Sequence, residues 1–227
     1  MLPSPDSEYF CGMGQFEYST LRERAEGKWV EKKSRFLAFA VPVDGEDAAE
    51  EVLHQVRKTF YDARHVCFAY RIRKDGETGE VCKVSDNGEP SGTAGRPILA
   101  VIKSAGLTNV MFVVVRYFGG IKLGTSGLCA AYVAACREAL KSAIIVHHVE
   151  TRRIEARFEF AQMQAVMRIL SRFDAKILNN YADAAGYSLL SLNVKACDAD
   201  NIIAQLKHIP HLSIVAADER EDAEETR

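Results

Sequence analysis

No CxxC pair occurs in the chain, whose six cysteines (Cys11, Cys67, Cys82, Cys129, Cys136 and Cys197) are scattered. Their density is far below that of a disulfide-stapled secreted domain, so they read as reduced, mostly buried small hydrophobes. The first residues, MLPSPDSEYFCGMG, lack the basic start and apolar stretch of a secretory signal. The longest apolar runs, such as Val110 to Val115, fall far short of the roughly 20 residues that span a bilayer. The expectation is a cytoplasmic protein with no membrane partner. Neither sign of charge dominates, with 29 Lys and Arg against 31 Asp and Glu and a formal charge of -2. Six acidic and two basic residues sit in the last ten, Asp218 to Arg227, which leaves about +2 on the body. That balance permits a nucleic-acid partner without demanding one, and the tail reads as a solvated, disordered end.

With 227 residues, 48% of them hydrophobic, the chain is long enough for one large domain or two ordinary ones. After a flexible segment over 1–15, FEYST and SRFLAFAVPV read as strands, the second entered past Lys28, Lys32, Lys33 and Arg35. Ala49, Val52, Leu53, Val56 and Phe60 form the apolar stripe of a helix over Glu46 to Phe60. HVCFAYRI is a strand and KDGETGE a hairpin-type turn. NVMFVVV is a strand covered on both faces, followed by a glycine loop and a small-residue helix from Gly127 to Ala143. From Thr151 on, the spacing predicts strand, helix, strand, strand, helix, strand, the ferredoxin-like βαββαβ order, with Asp198 as N-cap of the second helix. The domain boundary falls near IVHHVE, residues 145–150. No internal repeat appears.

Two glycine-rich stretches carry the candidate chemistry. In RYFGGIKLGTSG, Gly119, Gly120, Gly124 and Gly127 permit positive φ or close approach, and the start of the following helix offers free N–H groups to an anion. Arg116 and Lys122 add charge, and Thr125 or Ser126 can cap the helix or donate to a phosphate oxygen. The same glycines also suit a purely structural strand-to-helix turn. Thr125 stands where a Walker A lysine is required, and GxGxxG is absent, so neither a P-loop nor a dinucleotide site is indicated. In SDNGEPSGTAGRP, Asp86 and Glu89 with Arg96 downstream have two readings. They can hold Mg²⁺ or act as acid and base; alternatively they bond loop amides or pair with arginine. His65 and Cys67 lack the further ligands of a zinc site. His208 and His211 straddle Pro210 and read as a surface turn, and Cys129 and Cys136 as core. No metal or cofactor is expected.

SDNGEPSGTAGRPIL and VVVRYFGGIKLGTSGLCAAY, with KKSRFLAFAVPV and ARHVCFAYRI in matching order, strongly resemble the signature of the IMPACT/YigZ family, in its bacterial two-domain form. The family's glycine motif matches at Arg116, Tyr117, Phe118, Gly119, Gly120, Lys122, Leu123 and Gly124. Its acidic loop matches at Asp86, Gly88, Glu89, Pro90, Ser91, Gly92 and Thr93. Asn87 stands where Asp is usual and Ser126 where Gly is usual; the first weakens a metal-dependent reading and the second leaves an anion site intact. The resemblance implies an α+β protein. Its N-terminal domain (16–146) would have a fold shared by a ribosomal-protein domain, elongation factor G domain four and GHMP kinases. Its C-terminal domain (147–217) would be ferredoxin-like, resembling elongation factor G domain five, and followed by the acidic tail 218–227. Eukaryotic relatives regulate translation through an additional domain for which this chain has no room, so their partner is not carried over.

The function expected is an RNA- or ribosome-linked nucleic-acid-binding protein with a role in translation regulation. Phosphate would meet Arg116, Lys122, Gly119, Gly120, Gly124, Thr125, Ser126, Gly127, Arg96, Lys33 and Arg35. His65, Asp86, Glu89, Ser91 and Thr93 would organise the loop or contact ligand. Two alternatives stay open: a phosphate-binding enzyme related to GHMP kinases, and a protein-interaction regulator contacting its partner through the second domain. No complete catalytic constellation is visible, which favours a binding protein over an enzyme.

Overall fold

The computed structural model describes residues 16–73, 79–183 and 185–225. The segment 1–15 and most of the KDGETGE turn (74–80) lie outside the described residues. The elements are β1 (Glu17–Leu21), β2 (Ala25–Glu31), β3 (Ser34–Pro42), α1 (Glu46–Thr59), β4 (His65–Arg73), β5 (Glu80–Ser85), α2 (Gly95–Ser104), β6 (Val110–Tyr117), α3 (Gly124–Ser142), β7 (Ile145–Glu159), α4 (Met163–Leu170), β8 (Lys176–Ala182), β9 (Tyr187–Lys195), α5 (Ala196–Leu206) and β10 (Ser213–Glu225). They make a mixed α/β protein with two antiparallel sheets. One compact unit holds Tyr18–His147 and the other holds Phe16 and Glu17 with the chain from His148 on.

In the first unit the sheet order is β2-β3-β6-β4-β5, so β6 lies at the centre. Its unbroken apolar sequence follows from burial on both faces. Phe112 and Val114 join Phe36, Ala38, Ile98, Tyr132 and Ala135 beneath α2 and α3. Met111, Val113 and Val115 join Phe39, Val56, Phe68 and Tyr70 beneath α1. Strand β2 goes beyond the expected elements. Its sequence AEGKWVE turns only Ala25, Gly27 and Trp29 toward the helix layer, an inward set too small to read as a strand signal. At Gly27 a Cβ would stand 2.2 Å from the Ala139 nitrogen, so α3 rests directly on the β2 backbone.

In the second unit β7, β9 and β8 run in that order, β10 also pairs with β7, and β9 pairs antiparallel with both β7 and β8. Ile154, Phe158, Leu190 and Leu192 pack against Val166, Leu170, Ile202 and Leu206 of the two helices. Two details differ from expectation. Helix α5 begins at Ala196 with Lys195 as N-cap, so Asp198 lies inside the first turn, where its charge still suits the helix dipole. The acidic stretch from Asp218 continues β10 as far as Glu225 rather than forming a disordered tail. Strand β10 pairs with β7. The division between the two units falls between His147 and His148, within β7. Among the described residues no helix is long and apolar enough to cross a membrane.

Candidate functional site

The acidic loop is built on a turn from Asp86 to Glu89, closed by a 2.9 Å bond from the Glu89 N–H to the Asp86 carbonyl. Asn87 and Gly88 take φ of 38° and 82°, the left-handed pair for which Asn-Gly is favoured. Asn87 then serves the fold with both its oxygens: Oδ1 accepts the Val66 N–H at 2.9 Å, and its carbonyl lies 3.0 Å from His65 Nδ1. The Asp86 carboxylate accepts three backbone N–H groups, from Gly92 (2.7 Å), Ala94 (2.9 Å) and Gly95 (2.8 Å). Partial burial works to raise the Asp86 carboxyl, but these amides and the Arg96 charge outweigh it and hold it below the usual carboxylate range. Thr93 closes the loop by donating to the Pro90 carbonyl at 2.6 Å, while Ser91 and Arg96 are exposed.

Glu89 is turned inward, where its Oε1 accepts Arg116 Nη1 at 2.6 Å and Tyr132 Oη at 2.9 Å. The network continues from Tyr132 Oη to Cys67 Sγ at 3.2 Å and from that thiol to the Asp86 carbonyl at 2.9 Å. Burial pushes the Cys67 thiol up to about 12 and raises the Tyr132 hydroxyl as well. Of the two readings of Asp86 and Glu89, the geometry is that of amide binding and arginine pairing. Both carboxylates are committed, and no group of three or more His, Cys, Asp or Glu among the described residues is arranged to hold a metal.

Arg116 is placed differently from expectation. It is buried, with its guanidinium between the rings of Phe36 (5.4 Å) and Phe118 (5.6 Å). A lone arginine in sequence reads as surface charge; here the alternation along β6 turns it inward beside Tyr132. Its Nε has no hydrogen-bond partner among the described residues. The five described cysteines are free thiols, of which only Cys67 and Cys136 are buried.

The glycine loop is what remains facing solvent. Gly119 makes a close approach: a Cβ there would stand 2.0 Å from the Lys33 carbonyl carbon, and its N–H donates to Ser34 Oγ at 3.1 Å. Gly124 opens α3 at φ 74°, three residues before the expected start. The helix has no side-chain cap and no acidic residue in its first turn, and Lys122, Thr125 and Ser126 beside it are exposed. Gly120 takes φ of 87° in the loop, and Gly127 lies in the first turn of α3. Arg35 stacks over the Tyr117 ring at 4.9 Å, directly across the β3–β6 register. A hollow of about 270 Å³ beside the loop is lined by Trp29, Glu31, Lys32, Leu123 and Gly127. The larger hollow of about 610 Å³, floored by Leu37, Phe39 and Val41, lies on the opposite sheet face and touches none of these residues. Sequence reasoning missed Tyr132, Cys67 and Phe36 as parts of the network; no local pattern marks an inward tyrosine as the partner of a distant glutamate.

Residues 32–140 match the family model of the Impact N-terminal domain. The chain is 34% identical over 175 residues to IMPACT family member YigZ of Escherichia coli (strain K12), covering 77% of this chain and 84% of that one. It is 44% identical over 123 residues to IMPACT family member YvyE of Bacillus subtilis (strain 168), covering 54% and 55% respectively. The crystal structure of a hypothetical protein superposes with a TM-score of 0.58 at 31% identity, over 90% of this chain and 99% of that one. With both glycine stretches inside the matched region, the chain belongs to the IMPACT family.

Proposed function

We propose that this chain is a cytoplasmic, non-enzymatic binding protein that recognises nucleic-acid phosphate, linked to RNA or the ribosome and acting in translation regulation. The observation that carries the reading is the start of α3, which has no side-chain cap or acid in its first turn and lies beside exposed Lys122, Thr125 and Ser126. An anion there meets unpaired N–H groups, the positive end of the helix dipole and a lysine, each favourable. Lys33, Arg35 and Arg96 supply further charge; Arg116 supports the loop from within, since its guanidinium is taken by Glu89. The commitment of Asp86 and Glu89 argues for binding over phosphoryl transfer, which needs a free base or magnesium ligand. We further take the second unit, 147–217, as ferredoxin-like, supported by its β7-β9-β8 order with β10 paired to β7, and 16–146 as the ribosomal-protein-like domain.

The test is a salt titration of binding to ribosomal RNA with the full chain and its Lys122→Glu variant. Affinity of the native chain should fall with salt, and the variant should bind more weakly with a shallower dependence. Absence of binding at low salt, or an unchanged Lys122→Glu variant, would remove phosphate from the loop.

A further inference from the structure

We propose that the Lys32–Lys33 turn and the exposed ring of Phe118 together form a recognition surface for single-stranded nucleic acid. The inference rests on the phosphate-binding reading above and names its partner class.

Glu31 pairs with Ser34 across the β2–β3 hairpin, so the loop is two residues long, and both are lysines. Lys32 and Lys33 take φ of 44° and 65°. A two-residue loop with both positions left-handed is the pattern of a type I′ turn, where Asn-Gly is preferred because the conformation costs most other residues about 1 kcal/mol or more each. The chain uses that preferred pair at Asn87-Gly88, with φ of 38° and 82°. At the β2–β3 turn it instead carries two exposed ammonium groups on a strained backbone. Strain retained against an available relief points to a use for those side chains.

The turn is also held in place. Gly119 meets the Lys33 backbone with no room for a Cβ, and its N–H bonds the buried Ser34 hydroxyl. Phe118, the residue before it, is 55% exposed although Arg116 lies 5.6 Å from its ring, and Ile121 in the same loop is 47% exposed. The cations of these two touching segments are Lys32, Lys33, Arg35 and Lys122. The acids nearby are Glu31 and Asp62, the latter occupied by the Tyr117 hydroxyl at 2.7 Å.

An exposed aromatic ring among lysines fits a partner that offers negative charge and flat apolar faces side by side. Single-stranded nucleic acid does so at every nucleotide. A duplex turns its base faces inward, and an acidic peptide offers charge without faces to stack.

The experiment measures binding of a fluorescent oligouridylate across a salt series, with a duplex and polyglutamate as competitors. The variants are Lys32→Asn with Lys33→Gly, Phe118→Ala and Phe118→Trp. The turn variant relieves the strain, so its melting temperature should rise while its affinity falls about tenfold and its salt slope becomes shallower by about 1.4, the effect of losing two phosphate contacts. Phe118→Ala should weaken binding about tenfold with the salt slope unchanged, and Phe118→Trp should keep it. If the native chain binds RNA in a Lys122-dependent, salt-sensitive way but both the turn and Phe118→Ala variants bind like it, this surface is wrong and the glycine-loop reading stands. Equal competition by duplex or polyglutamate would also overturn it. A native chain without salt-sensitive binding overturns both.

Discussion

Arg116 and Glu89 stand 27 positions apart in sequence and meet at 2.6 Å in the interior of the first unit, with side chains only 6% and 3% exposed. The pair joins the glycine loop that follows β6 to the acidic loop that follows β5. Its desolvation is offset only by good geometry and by the added Tyr132 bond. The most suggestive cation of the glycine motif is therefore an internal support for the surface rather than part of it.

Breaking that pair from one side should be severe. Glu89→Ala leaves a buried guanidinium uncompensated and should cost about 3–5 kcal/mol, whereas Glu89→Leu with Arg116→Met should recover most of the loss. Trp29, the single tryptophan, packs against the core that holds Tyr132, so urea unfolding followed by its fluorescence reports on this unit. A double variant no better than Glu89→Ala would contradict the account.

Asp86 makes stability depend on pH. Its carboxyl is held below its ordinary value in the folded state, so its contribution is complete above the unfolded pKa and is lost as pH falls through the folded one. Urea midpoints should therefore decline on the acid side of the usual carboxylate range. Asp86→Asn should be weaker at neutral pH, by about 2–3 kcal/mol for amides left poorly paired, and show a flatter acid limb. Parallel curves for the two proteins would assign the acid limb elsewhere.

Two glycines should tolerate no side chain. Gly27→Ala and Gly119→Ala each place a methyl about 2 Å from backbone atoms, of Ala139 and Lys33 respectively, and each should cost about 1–3 kcal/mol or more. Gly119→Ala should also disturb the Lys32–Lys33 turn, which amide exchange at Ser34 would register as lost protection.

Thiol reactivity should follow burial. Among the described cysteines Cys82 is exposed and should be alkylated first, while Cys67, buried and raised to about 12, should stay unmodified until the unit unfolds. Peptide mapping after brief alkylation checks this, and early modification at Cys67 would mean that the polar network opens in the native state.

Much of this protein is written locally. The period-3.6 stripe of α1, the apolar run of β6, the glycine break and the small-residue α3 depend on neighbours in sequence, as does the strand-helix-strand-strand-helix-strand order from β7 to β10. The signature segments that mark the family are equally a matter of sequence. Tertiary structure decided what each loop residue faces. Strand β2 is recognisable only once α3 covers it, because glycine and alanine signal nothing until a backbone rests on them. Sequence leaves Asp86 and Glu89 with two readings, and the fold decides between them by supplying three amides and a guanidinium. Lys33 and Lys122 lie far apart in sequence, and the contact of Gly119 with the β2–β3 turn brings their loops together. Local pattern depends on backbone periodicity and hydrophobicity; the pairing of charges depends on which strands become neighbours, and no short stretch of sequence contains that.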